Sequence, residues 1–128
     1  MINGTQFTIS LGAEAASRAR MVVQMADVVA ALSVEGLVGT VDAFDPDVHK
    51  ARPHKGQMRV ARTIRALLNN KYQKSQICES WQVSRVQDPY TLRCIPQVHG
   101  VCHDIVDFSF NIIQSMESPF LLQIYNFL

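Results

Sequence analysis

Three polar side chains of the kinds used in substrate binding lie on one short stretch, RVQDPYTLRCIPQVHG at 85–100. Arg93 has a planar guanidinium whose donor fork matches a carboxylate. Tyr90 has a phenol that donates or accepts a proton, and Gln87 has an amide that does both. Two prolines prevent the stretch from forming one regular helix, so we expect an irregular segment. Convergent polar groups on such a segment indicate either a substrate site or a structural network.

Four further residues in this region have the chemistry of metal ligands or nucleophiles: Cys94, His99, Cys102 and His103. Structural zinc is bound by about four Cys or His ligands arranged as a tetrahedron. The C-x4-H-x2-C-H spacing matches no standard finger, and adjacent residues of a helix are poorly placed to bind one ion. A Cys/His nucleophile pair would need a third, orienting group. We therefore expect no metal here, and a zinc-bound helical module stays only as an alternative.

The composition excludes several classes of protein. The 128 residues fit one domain. Lys+Arg 12 against Asp+Glu 11 gives a net charge of +1, which does not suggest nucleic acid or an anionic membrane as partner. The sequence has three cysteines and no secretory signal, so we expect a reduced, cytoplasmic protein. No run reaches the roughly 18 apolar residues of a membrane-spanning helix.

Three stretches have the helical period of apolar residues. Residues 13–38 have an alanine-rich stripe that ends before Gly39, residues 57–69 have a shorter one, and a third helix begins at Gly100. The stripes are Ala15, Ala19, Val22, Ala26, Val29 and Leu37; Ala61, Ile64 and Leu68; and Val101, Ile105, Phe108 and Ile112. Because no strand alternation is present, the pattern predicts an all-α fold.

The connection TVDAFDPDVHKARPHKG at 40–56 is predicted to be a long loop, because its two prolines bias the residues before them away from helix. Such loops are unusual in compact domains and are commonly functional or form contact surfaces. The polar side chains that we expect at the surface nearby are His49 and His54 in the loop, and Arg59, Arg62 and Arg65 on the next helix.

Several of these stretches together resemble the aromatic amino acid ammonia-lyases and aminomutases. The segments INGTQ at 2–6, RPHKGQ at 52–57 and RVQDPYTLRCIPQVHG at 85–100 occur in that family in this order. ADVVAALSVEGLVGTVDAFD at 26–45 and VCHDIVDF at 101–108 are also similar. Separate motifs in register are more specific than one short pattern. INGTQ together with LRCIPQVHG is more similar to the histidine branch, with phenylalanine or tyrosine lyases and aminomutases as alternatives.

The resemblance implies a fold, a reaction and residue roles. Members are all-α homotetramers of long, near-parallel helices, with active sites where subunits meet. They remove ammonia from an α-amino acid, giving trans-urocanate from histidine, and their electrophile is methylidene-imidazolone formed from an internal Ala-Ser-Gly. By resemblance, Tyr90 would be a catalytic residue beside that electrophile, and Arg93 would bind the substrate carboxylate. Asn3 and Gln87 would be further binding residues.

The sequence departs from the family pattern at two places. It contains no Ala-Ser-Gly, since Ala16 and Ser17 are followed by Arg18, so we expect a central fragment that is inactive alone. We assign 1–113 to the family-like helical segment and 114–128 to a divergent apolar tail. We expect partly exposed apolar stripes, marginal stability and self-association. The alternative is a non-enzymatic helical subunit that docks on a full-length lyase.

Overall fold

The computed structural model describes residues 4–69, 72, 74–78 and 86–116. These ranges contain five α-helices and two 3-10 turns, and no strand beyond an isolated bridge between Asn69 and Lys74. The all-α prediction is therefore confirmed for the described residues. In chain order the helices are α1 (Thr5–Gly36), α2 (Pro46–Lys50), α3 (Lys55–Leu68), α4 (Tyr90–Arg93) and α5 (Ile95–Met116), and the 3-10 turns are Asp42–Phe44 and Gln76–Cys78.

Helix α1 begins well before the predicted start at residue 13, because its polar N-terminal residues are compatible with a helix. The Thr8 hydroxyl donates to the Gly4 carbonyl at 3.1 Å, and the Ser10 hydroxyl donates to the Gln6 carbonyl at 2.8 Å. Each hydroxyl is thus satisfied one turn back along its own helix. The helix therefore continues through residues whose types are common at helix ends.

The buried face of α1 lies one residue round from the predicted stripe. Val22 and Val29 of that stripe are 66% and 57% exposed. One residue turns an α-helix by about 100°, so the core lies on the adjacent face. Both faces are apolar, and periodicity alone does not say which one the chain covers. The buried residues of α1 are Ala16, Asp27, Ala30, Ala31 and Val34.

Helix α3 is the centre of the core and packs against both α1 and α5. Its predicted stripe of Ala61, Ile64 and Leu68 is buried, as expected. Phe44 from the first 3-10 turn and Leu92 from α4 complete the cluster around it. The short elements on either side of α3 are therefore held by apolar burial, which is the dominant favourable term in folding.

The stretch 40–56 is not one long loop, because it contains a 3-10 turn and helix α2. Asp45 caps α2, since its carboxylate accepts a hydrogen bond from the Asp47 N–H at 2.8 Å. Pro46 occupies the first turn, where its missing N–H would have no helical partner. Pro46, one of the two prolines that suggested a loop, therefore marks a helix start.

His49 is buried rather than at the surface, with 1% of its area exposed. Its Nε2 bonds the Ala43 carbonyl at 3.0 Å, and its Nδ1 bonds the Gln57 side-chain amide at 2.8 Å. His54 is exposed, as predicted. The glutamine of RPHKGQ therefore joins α2 to α3, which gives that motif a packing role.

Two of the three arginines on α3 bond protein groups, contrary to the expectation that all face solvent. Arg59 Nη1 donates to Asp107 Oδ2 on α5 at 2.9 Å, and Arg65 Nη1 donates to the Phe44 carbonyl. Arg62 is exposed, as predicted. The arginines of α3 thus connect it to its neighbours at the rim of the core.

The first helix ends in a Schellman motif, in which Gly39 N–H donates to the Val34 carbonyl at 2.8 Å and Val38 N–H to the Glu35 carbonyl at 3.0 Å. Val38 has a φ of 52°, the region that favours glycine. A Cβ on Gly39 would lie 3.2 Å from Asp88 Oδ2, so the glycine is needed for close approach. The helix thus ends at Gly36, before the predicted stop at Gly39, and the left-handed residue that follows it is Val38.

Helix α5 begins at Ile95, earlier than Gly100, with Pro96 in its first turn, where proline is tolerated. Its predicted stripe is exposed, with Val101, Ile105 and Phe108 each 58% to 65% accessible. The residues that it buries are Ile95, Pro96, Gly100 and His103. We call the exposed apolar residues the outer faces: on α1 Phe7, Leu11, Met21, Val22, Met25, Val29 and Leu32, and on α5 Val98, Val101, Ile105, Phe108, Ile112 and Met116.

Candidate active site

The stretch 85–100 is largely helical rather than irregular, because its described part contains α4 and the beginning of α5. We call residues 86–93, which include the described candidate residues, the site segment. Pro89 caps the single turn of α4, and its carbonyl accepts hydrogen bonds from the Leu92 and Arg93 N–H groups at 3.0 and 3.3 Å. Leu92 is buried in the core, which orients the turn. Proline is favoured just before a helical turn, because its fixed φ suits this position and its missing N–H is not needed there.

Arg93 is half-buried, and its Nε donates to the main-chain carbonyl of Asp88 at 3.1 Å. Within the described ranges its two terminal nitrogens bond no other group. A guanidinium held at Nε keeps its outer edge available, and that edge carries the parallel donors that bind a carboxylate. The geometry is therefore suited to holding a carboxylate of a small molecule.

Tyr90 is 70% exposed, and its hydroxyl lies beside the Cys94 thiol one turn along the chain. The hydrogen bond to Cys94 raises the pKa of the Tyr90 phenol above its ordinary value, while the nearby Arg93 charge acts in the opposite direction. The phenol is therefore neutral at neutral pH and able to donate a proton. A catalytic role for Tyr90 remains a prediction.

Of the other two predicted binding residues, the structure describes Gln87 but not Asn3. Gln87 is exposed, and its amide bonds no other group in the described part of the chain. Asn3 lies outside the described residues, so its role stays a prediction. The structure thus brings Gln87, Tyr90 and Arg93 together on one segment.

Asp88 is a site-segment residue that the sequence interpretation missed. It is 5% exposed although its neighbours are exposed, and its Oδ2 accepts a hydrogen bond from the Thr40 N–H at 2.6 Å. No described group bonds its Oδ1, which is also buried. A buried carboxylate costs free energy unless it is hydrogen-bonded, so the Thr40 bond holds the segment against the end of α1. The sequence feature that could have pointed to Asp88 is Pro89 directly after it, because a proline restricts the backbone of the residue before it.

Asp27 is a second residue that the sequence interpretation missed. Its carboxylate lies between two histidines of α5, with Oδ1 2.8 Å from His99 Nδ1 and Oδ2 2.8 Å from His103 Nε2. Asp27 and His103 are each 2% exposed. Two sequence features signal this contact. Asp27 is a single acidic residue in an apolar helical run, and His99 and His103, four residues apart, lie on one face of another helix. The network joins α1 to the beginning of α5.

The four candidates for metal or nucleophile chemistry do not form one site in the structure; they are Cys94, His99, Cys102 and His103. His99 and His103 both bond Asp27, and Cys94 lies beside Tyr90. Cys102 is exposed. The described residues contain no group of three or more metal-ligand side chains placed to hold an ion. His99, His103 and Cys94 therefore take part in hydrogen bonds within the protein.

A cavity of about 340 Å³ lies between α2 and α3 and contains no residue of the 86–93 segment. Its polar lining is basic and includes Lys50, Lys55 and Arg62. Because Arg93 is not among its residues, the cavity is separate from the candidate site.

In the ranges that the structure describes, no helix combines the length and the apolar character that crossing a bilayer requires.

Residues 1–116 match the protein family described as aromatic amino acid lyase. Curated relatives include the histidine ammonia-lyases of Bos taurus and Homo sapiens, each 54% identical over 114 residues, covering 88% of this chain and 17% of the relative. The histidine ammonia-lyase of Koribacter versatilis is 47% identical over 109 residues, covering 84% of this chain and 20% of the relative. The chain thus spans 17% to 20% of the length of these relatives. No solved structure matches it.

Proposed function

The chain belongs to the aromatic amino acid lyase family, and we propose that it forms the carboxylate-binding part of a histidine ammonia-lyase active site. The observation that supports this most directly is the Arg93 guanidinium, which is held at Nε and open at its outer edge. Histidine is chosen as the substrate because the curated relatives are named histidine ammonia-lyases. Another aromatic amino acid, or an aminomutase reaction, is the alternative within the family.

In this proposal Arg93 binds the substrate carboxylate and fixes the amino acid relative to the reacting groups. Correct orientation accounts for a large part of the rate enhancement in enzymes that break an unactivated bond. The exposed Tyr90 phenol lies three residues before Arg93 and is the proposed catalytic proton donor or acceptor. Gln87 and Asn3 are the proposed binding residues for the rest of the substrate.

The residues of this chain cannot form the family's methylidene-imidazolone, because the 128 residues contain no Ala-Ser-Gly. Our proposal is that another part of a complete lyase supplies the electrophile, while this segment supplies the carboxylate-binding side. The 128-residue chain incubated with histidine is expected to give no urocanate absorbance, and appreciable turnover would contradict this assignment.

We also propose a homo-oligomeric, cytoplasmic enzyme, a tetramer as in the family. The outer faces of α1 and α5 support an assembly, because they leave many large apolar side chains accessible. A monodisperse monomer in sedimentation experiments on a complete lyase that contains this segment would contradict the oligomer.

The proposed role of Arg93 is tested by Arg93→Ala and Arg93→Lys at the matching position of a complete histidine ammonia-lyase. Loss of a buried charge partner costs about 2 to 5 kcal/mol, so the KM for histidine should rise by roughly thirtyfold or more in the alanine variant. Lysine keeps the charge but not the fork, so it should recover only part of the affinity. The matched control is Arg18→Ala, whose guanidinium pairs with Glu14 on the exposed side of α1. An unchanged KM for Arg93→Ala would reject the carboxylate role.

A second function, favoured by the same outer faces, is a non-enzymatic helical subunit that docks on a full-length lyase. Co-expression with a full-length histidine ammonia-lyase distinguishes the two functions. Stable co-purification, and altered activity of the full-length enzyme, would favour the subunit, whereas no association would remove it.

A further inference from the structure

Asp88 makes two contacts that together fix the direction of the Arg93 side chain. Its carboxylate Oδ2 accepts from the Thr40 N–H at 2.6 Å, across 48 residues of sequence. Its main-chain carbonyl accepts from Arg93 Nε at 3.1 Å. One residue therefore connects the end of α1 to the guanidinium that faces the candidate site.

The approach of Asp88 to the end of α1 is close and specific. A Cβ on Gly39 would lie 3.2 Å from Asp88 Oδ2, tighter than an ordinary van der Waals contact. Gly39 is the last residue of the Schellman motif and Thr40 follows it directly, so the donor N–H is held by a helix end. A short hydrogen bond to a carboxylate is among the stronger ones in proteins. The Asp88 carbonyl is thereby held at a fixed place relative to the core.

We infer that Asp88 is a positioning residue for Arg93, which holds the guanidinium at Nε so that its two terminal nitrogens present a preformed fork to a substrate carboxylate. The inference rests on the proposed function for the identity of that carboxylate. Asp88 does not itself reach the substrate in this arrangement, because it is 5% exposed and its Oδ2 bonds Thr40. Preorganised donors bind more tightly than mobile ones, since less freedom is lost on binding.

The first test follows the Arg93 Nε–H signal of the 128-residue chain in ¹⁵N NMR spectra. Asp88→Ala should speed the exchange of that proton with water by about tenfold or more, since the loss of the Thr40 bond releases the Asp88 carbonyl. Asp88→Asn keeps an oxygen for the Thr40 N–H and should retain most of the protection. The matched control is Asp42→Ala, which removes an exposed carboxylate two residues from Thr40. A folded Asp88→Ala variant with unchanged exchange would overturn the inference.

If Asp88→Ala does not fold, Gly39→Ala provides a second test, because its new methyl group would lie 3.2 Å from Asp88 Oδ2 as well as 3.2 Å from Val34 Cγ1. Faster Nε–H exchange in this variant supports the positioning role, and unchanged exchange contradicts it.

The second test places Asp88→Ala and Asp88→Asn at the matching position of the complete lyase, beside Arg93→Ala. We expect Asp88→Ala to raise the KM for histidine by roughly tenfold, with a smaller effect on kcat, and Asp88→Asn to restore much of the affinity. If Arg93→Ala raises KM and Asp88→Ala does not, the positioning inference fails. If Arg93→Ala itself leaves KM unchanged, the proposed function fails, and the exchange experiment still decides whether Asp88 positions Arg93.

Discussion

Gly56 and Gly100 pack backbone against backbone where α3 crosses α5. A Cβ on Gly56 would lie 2.7 Å from the carbonyl carbon of Gly100, and a Cβ on Gly100 would lie 2.7 Å from Gln57 Cα. Both glycines are buried. The contact explains why RPHKGQ and PQVHG each contain a glycine inside a helix, where it would otherwise weaken the helix.

Gly100→Ala should lower the free energy of unfolding by about 2 to 3 kcal/mol, because the methyl group meets main-chain atoms that cannot move aside. Urea denaturation measures the change. Gly12→Ala is the matched control, since its methyl group would lie 3.6 Å from Ile113 Cδ1, an ordinary contact. The control should be neutral or stabilising by up to about 1 kcal/mol, as alanine favours helix. Equal effects of the two substitutions would contradict the helix-crossing explanation.

Asp27→Ala should destabilise the chain by about 3 kcal/mol, because it removes the acceptor of two imidazoles, one of them fully buried. Asp27→Asn should cost less, since the amide retains one oxygen. Glu14→Ala removes an exposed carboxylate from the same helix and should change the unfolding free energy by about 0.5 kcal/mol or less. Thermal or urea unfolding checks the order, and a fully stable Asp27→Ala variant would show that the network is dispensable.

Val38→Gly should stabilise the chain. A left-handed backbone costs a non-glycine residue roughly 1 to 2 kcal/mol, against about 0.5 to 1 kcal/mol for the extra freedom of glycine when unfolded. The net gain in unfolding free energy is then up to about 1 kcal/mol. Val41→Gly, in the same region with a φ of −84°, is the control and should destabilise. A loss of stability in Val38→Gly would mean that the half-exposed valine side chain contributes more than the strain costs.

The phenol of Tyr90 should titrate above its ordinary value of 10, and Cys94→Ala should bring its pKa back down. The sign follows from the neutral form being the one that is hydrogen-bonded. The contribution to stability is then present below the unfolded pKa and lost as pH rises through the folded pKa. NMR titration of the Tyr90 ring signals measures the pKa of the phenol in the unchanged chain and in Cys94→Ala. Identical titration curves in the two proteins would exclude the Cys94 contact as the cause.

The Asp47 carboxylate should titrate below its ordinary value of 3.8, because the Lys50 ammonium hydrogen-bonds to it at 2.8 Å. Its stabilising effect is present above the unfolded pKa and lost as pH falls through the folded pKa. Lys50→Met should raise the Asp47 pKa toward the ordinary value, whereas Lys55→Met should leave it unchanged. Carboxyl ¹³C titration distinguishes these outcomes.

Fold class and the core stripe of α3 were predictable from the sequence, because Ala61, Ile64 and Leu68 form an apolar stripe on a helix that also carries a lysine and three arginines. On α1 and α5 the predicted stripes are apolar and largely exposed, as expected from the sequence, but periodicity did not identify the faces that are buried. Val22 and Phe108 belong to continuous apolar stripes that this chain leaves exposed, while the buried faces include Asp27 and His103. Periodicity detects an apolar face but does not show what covers it.

The predicted site residues Gln87, Tyr90 and Arg93 came from residue chemistry and from family resemblance, and the structure places them on one segment. Asp88 was not predictable in the same way, because its partner Thr40 lies 48 residues away. Contacts of that range depend on the packing of α1, which is not encoded in the local pattern around residue 88.

The carboxylate of Asp27 also affects the order in which the chain can fold. Its two hydrogen-bond partners lie 72 and 76 residues further along, so during synthesis α1 is complete long before either histidine exists. Until α5 is made, burial of that face of α1 would leave the carboxylate without its partners. We therefore expect the docking of α1 to be a late, non-local event, slow compared with helix formation, in which Asp27 disfavours premature collapse.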